Sequence, residues 1–464
     1  VKVDRTPTVV TPASAAYCNN TTVPTATFTS TTTGATFTWT NDNSNIGLAA
    51  NGTGNIPTFT ATNTTNAPIV ATITVTPITA NGCLGTPSSY SITVNPTPTV
   101  TVPTNDIYCV NATVPATAFV SSPTLGTFTW TNDNVNIGLG ANGTGDIASF
   151  VATNTTTNSI TANIIVTPTV NGCLGTPSSY SITVGAIPTV TTPTSAAFCN
   201  GAIVPAATFT SATTGVTFDW TNDDTTIGLA ASGTGDIPAF TAVNTTIFPI
   251  IAKITVTPTT ENGCVGTPFD YTITVNPTPT VAVPVNDIYC NNTLVPATVF
   301  ANTPTGGTFA WTNDNINIGL GLSGNGDIAA FTSTNTTNAT ISANISVTPT
   351  VNGCVGTASS YTVTVVPSPT VSVPTSVIYC NSDLVLVTSF ASSPAGGTFA
   401  WTNDNTNIGL PANGTGDISS FVATNTTPNQ ITANITVTAT VNGCLGISNT
   451  YTVKVDPIPT VATP

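Results

Sequence analysis

The chain has 464 residues, 18 of them acidic and 4 basic, for a formal charge of −14, with no His and no Met. Four basic residues, Lys2, Arg5, Lys253 and Lys454, cannot neutralise a phosphate backbone, which argues against nucleic-acid binding. Without His there is no Ser–His or Cys–His catalytic pair and no imidazole metal ligand, and no apolar run approaches the roughly 18–20 residues of a membrane helix.

The chain repeats itself. Trp stands at Trp39, Trp130, Trp220, Trp311 and Trp401, at spacings of 91, 90, 91 and 90. A first cysteine recurs at Cys18, Cys109, Cys199, Cys290 and Cys380, and a second at Cys83, Cys173, Cys264, Cys354 and Cys444. A Pro-Thr-Val opening recurs from Pro7 to Pro459. These markers predict five units, 7–97, 98–187, 188–278, 279–368 and 369–458. Residues 1–6 read as the end of a preceding unit and 459–464 as the start of a further one, as expected of a segment of a longer repeat protein.

Within the first unit, the opening strand leads to Cys18. Phe37 and Trp39 then alternate with Thr36, Thr38 and Thr40, which predicts a half-buried strand with Trp on its apolar face. The stretch Asn41-Asp42-Asn43 reads as a turn, and Phe59 opens the next strand. Ile69, Ala71, Ile73 and Val75 alternate with Val70, Thr72, Thr74 and Thr76, and Thr, being β-branched, suits the outer face of a pleat. Asn81-Gly82 before Cys83 predicts a surface hairpin, where the units also differ in length. Tyr90, Ile92 and Val94 form the last strand, and Asn95-Pro96-Thr97-Pro98 is a short, stiff linker. The linker Val184-Gly185-Ala186-Ile187-Pro188 loses one Pro and gains a Gly, so it is expected to be the most flexible. Roughly six or seven short strands per unit predict an antiparallel sandwich, each unit advancing about 40 Å along a rod.

Ten cysteines without a CxxC motif point to disulfides and an oxidising location. The expected pairing is within each unit, Cys18 with Cys83 and so on, closing loops of about 65 residues worth roughly 4 kcal/mol each. Reduced buried cysteines, or pairing between neighbours such as Cys83 with Cys109, are the alternatives.

Two acidic positions recur, one after Trp (Asp133, Asp314, Asp404) and one after Gly (Asp146, Asp327, Asp417). Carboxylates suit calcium, but the spacing does not fit an EF-hand, and turn hydrogen bonding is the favoured reading. Each Trp reads as core and not as a sugar-stacking platform. The Thr rows on a twisted sheet make a poor ice-binding array. Asn63-Thr64-Thr65 and similar triplets reflect composition, and Asp224-Thr225-Thr226 matches a short O-glycosylation motif weakly. No nucleophile–base pair, phosphate loop or cofactor fingerprint appears, so neither an enzyme nor a cofactor is predicted.

The string W-T-N-D-N-x-x-I-G-L, then G-T-G-[DN]-I-x-x-F-x-A-T-N-T-T, then N-G-C-x-G-T-P-x-x-Y-x-I-T-V-x-P-x-P-T-V, resembles the PKD-like repeat of giant secreted surface proteins of Bacteroidota. The resemblance covers essentially the whole chain. It implies an all-β tandem array of immunoglobulin-like sandwiches and a parent exported by the type IX secretion system. It carries no catalytic residues. The Cys–Trp–Cys order is loosely similar to immunoglobulin domains, but the second Cys follows a turn, so a bond near one end of the sandwich is expected. The functional expectation is an extracellular shaft of an adhesin or filament, with lateral homo-oligomeric packing as a variant, surface targets bound by domains outside this segment, and no membrane insertion. The rival expectation is an array of glycan- or calcium-binding modules.

Overall fold

The computed structural model describes residues 5–459. The segments 1–4 and 460–464, which carry most of the two partial units, lie outside the described residues. The chain is all-β, a tandem array of five sandwiches, with one short 3-10 turn in each. Every sandwich has its own hydrophobic core, the five clusters running Val23–Val94, Val114–Val184, Val204–Val275, Val281–Val365 and Val371–Val455.

The second repeat illustrates the build. Its main sheet runs, in order, Asn142–Thr144, Thr127–Asn132, Ile160–Val170, Ser178–Gly185 and Asp106–Cys109, with Cys173–Leu174 pairing back on Ile160–Val170. The opposing layer consists of short pairs, Thr99–Thr101 with Val120–Ser122 and Thr113–Val114 with Phe150–Val151. Alternation explains the packing. Ala162, Ile164 and Val166 are fully buried while Thr161, Asn163 and Ile165 face outward. Burying an Ile or Val side chain in this way contributes roughly 1.5–3 kcal/mol. The threonines left outside pair across the strands, as in Thr161 Oγ1 to Thr183 Oγ1 at 2.9 Å.

The sheet departs from a purely antiparallel pattern at one edge. Asp106–Cys109 runs parallel to Ser178–Gly185, with Cys109 opposite Gly185, and the other repeats carry the same parallel edge. The two strands are separated by the whole repeat, and no tight hairpin forces them antiparallel. This edge places the first cysteine at the end of the sandwich where the chain leaves.

The chain arrives at the opposite end. Gly175 and Thr176, just after Cys173, pack against Pro98, and Thr176 N donates to Pro98 O at 2.9 Å. Val170 lies at this leading end, while Ile160 pairs with Val184 at the trailing end. The strand Ile160–Val170, 11 residues long, separates them by about 36 Å.

Candidate functional site: the junctions between repeats

The chemistry of this chain is concentrated where one sandwich meets the next. The first cysteine sits at the trailing end of its repeat, and the second sits at the leading end of its own. The two ends of one sandwich are a strand length apart, so the two cysteines of one repeat cannot meet. They bond across the junctions instead. Cys18 bonds Cys173, Cys109 bonds Cys264, Cys199 bonds Cys354 and Cys290 bonds Cys444, with Cα separations of 5.4–5.5 Å. This corrects the expected pairing within repeats, and it also differs from the Cys83–Cys109 alternative. Cys83 and Cys380 are exposed free thiols. The expectation of a bond near one end of the sandwich describes its location, but the bond joins two sandwiches.

Polar contacts surround the sulfurs. Asn171 Nδ2 donates to Asn95 Oδ1 at 3.3 Å across the first junction, and Asn352 Nδ2 donates to Asn276 Oδ1 at 3.2 Å across the third. Asn95 and Asn276 are the residues opposite the first cysteines Cys18 and Cys199 in the parallel edge. The hairpin asparagines Asn171, Asn352 and Asn442 adopt positive φ, each followed by a positive-φ Gly, which turns the chain tightly enough to return the second cysteine to the sheet. Four second cysteines, Cys173, Cys264, Cys354 and Cys444, are buried at these junctions.

The second junction contains the odd linker. Gly185 stands where Asn95 stands in the first repeat, and a Cβ there would lie 2.7 Å from Cys264 Sγ. Asn95, Asn276 and Val366 stand at the same place beside the other three disulfides, so the bond itself accommodates a side chain; at Gly185 the space is given to the Cys264 sulfur. Across this junction Thr214 N and Oγ1 both donate to Asn158 Oδ1, and Asn262 Nδ2 donates to Ser159 Oγ. The junction expected to bend most is bonded covalently and hydrogen-bonded as well.

The acidic candidates hold backbone. Asp133, Asp314 and Asp404 accept from the N–H of Asn163, Asn344 and Asn434 at 2.7 Å. Asp146, Asp327 and Asp417 accept from the N–H of Phe119, Phe300 and Phe390 at 2.9 Å. In the first repeat Asn55 does the same for Phe28 at 2.9 Å. A neutral amide in the same position shows that the bond, and not the charge, is what the position supplies. Backbone and Asn434 side-chain donors hold the Asp404 carboxyl below the usual carboxylate range. No cluster of three or more acidic or cysteine side chains arranged to hold a metal occurs among the described residues.

The Asn-Asp-Asn stretch is a turn network. Asn132 Nδ2 donates to Leu139 O and Gly140 O, and its Oδ1 accepts from Asn134 N. Asn134 caps the 3-10 turn Val135–Ile137, which ends at Gly138 with φ of 96°. That turn drives Ile137 into the core. The Trp side chains are buried, Trp130 at 8% exposure, so no ring face is available to a sugar. Gly143 lies opposite Trp130, and a Cβ there would meet the indole Cζ2 at 2.2 Å.

Sequence reasoning passed over one recurrent residue. Asn63, Asn154, Asn244, Asn335 and Asn425 are buried, although they open Asn-Thr triplets that read as composition. Asn154 Nδ2 donates to Asn158 O and Val184 O, and its Oδ1 accepts from Thr156 N and Oγ1. It locks the trailing loop onto the last strand beside the junction. Its invariance across five repeats of this chain was the available signal.

With this geometry in place, similarity to known domains is informative. Residues 15–98 and 192–279 match the PKD-like domain family. Those segments cover the first and third repeats from the strand that ends in the first cysteine to the following Pro-Thr-Val opening. None of the curated proteins matches the chain in sequence. Among solved structures, the chain is similar to the human Desmocollin-1 ectodomain, at 12% identity over 98% of this chain and 99% of that one, with a TM-score of 0.27. It is also similar to the titin I-band fragment I67–I69, at 12% identity over 60% of this chain and 100% of that one, with a TM-score of 0.35.

The four disulfides that join the sandwiches belong to an oxidising, extracellular type of environment. No helix among the described residues is long and apolar enough to cross a membrane.

Proposed function

We propose that this chain is a shaft segment of an extracellular surface adhesin or filament, whose work is to span distance between a cell surface and whatever lies at the tip. The observation that carries this reading is the covalent bonding of every repeat to the next through Cys18–Cys173, Cys109–Cys264, Cys199–Cys354 and Cys290–Cys444. A module whose task is to bind a ligand needs only its own fold. Bonds that fasten neighbours together serve a load or a fixed spacing. The opposed ends of each sandwich and the proline linkers support the same reading. The resemblance to PKD-like repeats favours a giant secreted Bacteroidota protein exported by the type IX system as the parent, attached at the cell surface, with the adhesive target held by another domain. A chain with only 5% charged residues suits lateral packing of several copies into a thicker filament.

Light scattering with small-angle X-ray scattering on the unreduced chain tests the proposal. A stiff particle of about 200 Å is expected, five repeats of about 36–40 Å each. A compact particle would overturn the shaft reading. A discrete multiple of the chain mass would make the repeats themselves the assembly interface.

A further inference from the structure

The bonds do more than join neighbours, because each one links the trailing end of a repeat to the leading end of the next. From Cys173, at the leading end of the second repeat, the chain runs along the last strand Ser178–Gly185, through the linker and the strand Ala196–Cys199 to Cys199. Cys199 lies opposite Asn276, at the trailing end of the third repeat. Those residues, about 26 in number, therefore cross two sandwiches. Fully extended they reach about 86 Å, against about 72 Å for two strands of 11 residues laid end to end. The segment is close to taut in the folded state. Cys264 to Cys290 is built the same way.

Two interleaved covalent rails result. One runs through Cys18–Cys173, then Cys199–Cys354, to Cys380. The other runs from Cys83 through Cys109, then Cys264, Cys290 and Cys444. We infer that tension on the array is carried by these two disulfide rails, which bypass most of each sandwich and can replace one another. This deepens the shaft reading by assigning it a mechanical property: when its sandwiches unfold the oxidised array lengthens far less than the reduced chain, and it tolerates the loss of an interior bond.

The connectivity gives the magnitudes. The shortest covalent route from one terminus to the other follows residues 1–18, crosses to 173, returns to 109, crosses to 264, follows to 290, crosses to 444 and continues to 464. It contains about 127 peptide links and stretches to about 450 Å, whereas the reduced chain stretches to about 1,600 Å. A second route of equal length uses Cys199–Cys354 in place of Cys109–Cys264. Losing either of these two bonds therefore leaves the length unchanged. Losing both lengthens the route by about 27 links, or about 95 Å. Bonds confined within repeats would behave differently, since every lost bond would then release its own loop of about 64 links, or about 220 Å.

Single-molecule pulling between the two termini of the full chain tests this. The oxidised chain is expected to stop near 450 Å, and the same chain in dithiothreitol near 1,600 Å. Cys199→Ala is expected to stop within a few tens of Å of the parent, and Cys109→Ala/Cys199→Ala about 95 Å beyond it. Lengthening of about 220 Å in Cys199→Ala would overturn the proposal, as would an oxidised chain that reaches the reduced length. Cys354→Ala opens the same bond from the other side and is expected to match Cys199→Ala, which guards against misfolding of one variant. The final length depends on covalent connectivity and not on particle shape. A compact particle in scattering with rails intact in pulling would therefore reject the shaft and keep the rails.

Discussion

Replacing Cys173 with Ala separates the two possible pairings in one experiment. In the structure Cys173 bonds Cys18, at a sequence separation of 155. No shorter route through the other bonds connects the two, since the detour through Cys109–Cys264 is longer. In the chain-entropy account, a closed loop of that size contributes about 5 kcal/mol. Cys173→Ala removes the loop and frees Cys18. The variant, denatured without reductant and alkylated, is expected to carry label at Cys18, Cys83 and Cys380. Hydrogen exchange on the folded variant should show protection reduced in the first two repeats, by up to about 5 kcal/mol at their most protected amides, and unchanged in the fifth. Label at Cys109 in place of Cys18 would refute the junction bond, because a pairing within repeats leaves Cys109 as the orphan.

Four further outcomes follow from the same geometry. Gly143→Ala places a methyl 2.2 Å from Trp130 Cζ2 and should cost about 1–3 kcal/mol, read as a lowered guanidinium midpoint. Asp146→Asn should be close to neutral, as Asn55 shows in the first repeat, while Asp146→Ala strands the Phe119 N–H and should cost about 1–3 kcal/mol; calcium should leave the melting temperature of the parent unchanged. Asn154→Ala removes the amide from two carbonyls and should cost about 2–3 kcal/mol in denaturant unfolding, with protection lost first at the trailing loop. Burial pushes the Tyr90 and Tyr271 hydroxyls up to about 12, so the folded state holds their protons where the unfolded state has released them. Their contribution is complete below pH 10 and is lost as pH rises toward 12, so stability should decline over that window in step with tyrosinate absorbance.

Much of this protein was legible in one dimension. The five-fold recurrence of Trp and Cys marks the units, and the two-residue alternation in Ile69–Val75 and Tyr90–Val94 marks the strands that carry the core. Both are local signals, because a pleated strand places alternate side chains on opposite faces wherever it lies. Even the roles of the recurrent carboxylates were within reach, since Asn55 in place of Asp at one repeat shows that charge is dispensable.

The junctions were not legible. Cys18 and Cys83 are about 65 residues apart in one unit, and spacing alone favours them as partners. Only the three-dimensional arrangement shows that they occupy opposite ends of a sandwich, while Cys173 of the next repeat lies within bonding distance of Cys18. Gly185 likewise gives no sign in the sequence that the Cys264 sulfur of the next repeat lies against it. The sequence by itself determined the repeat, the strand pattern and the buried faces, because these follow from side-chain chemistry at short range. The tertiary structure decided which cysteines meet, because that depends on where a chain of 90 or so residues enters and leaves its own fold, and no local pattern records it.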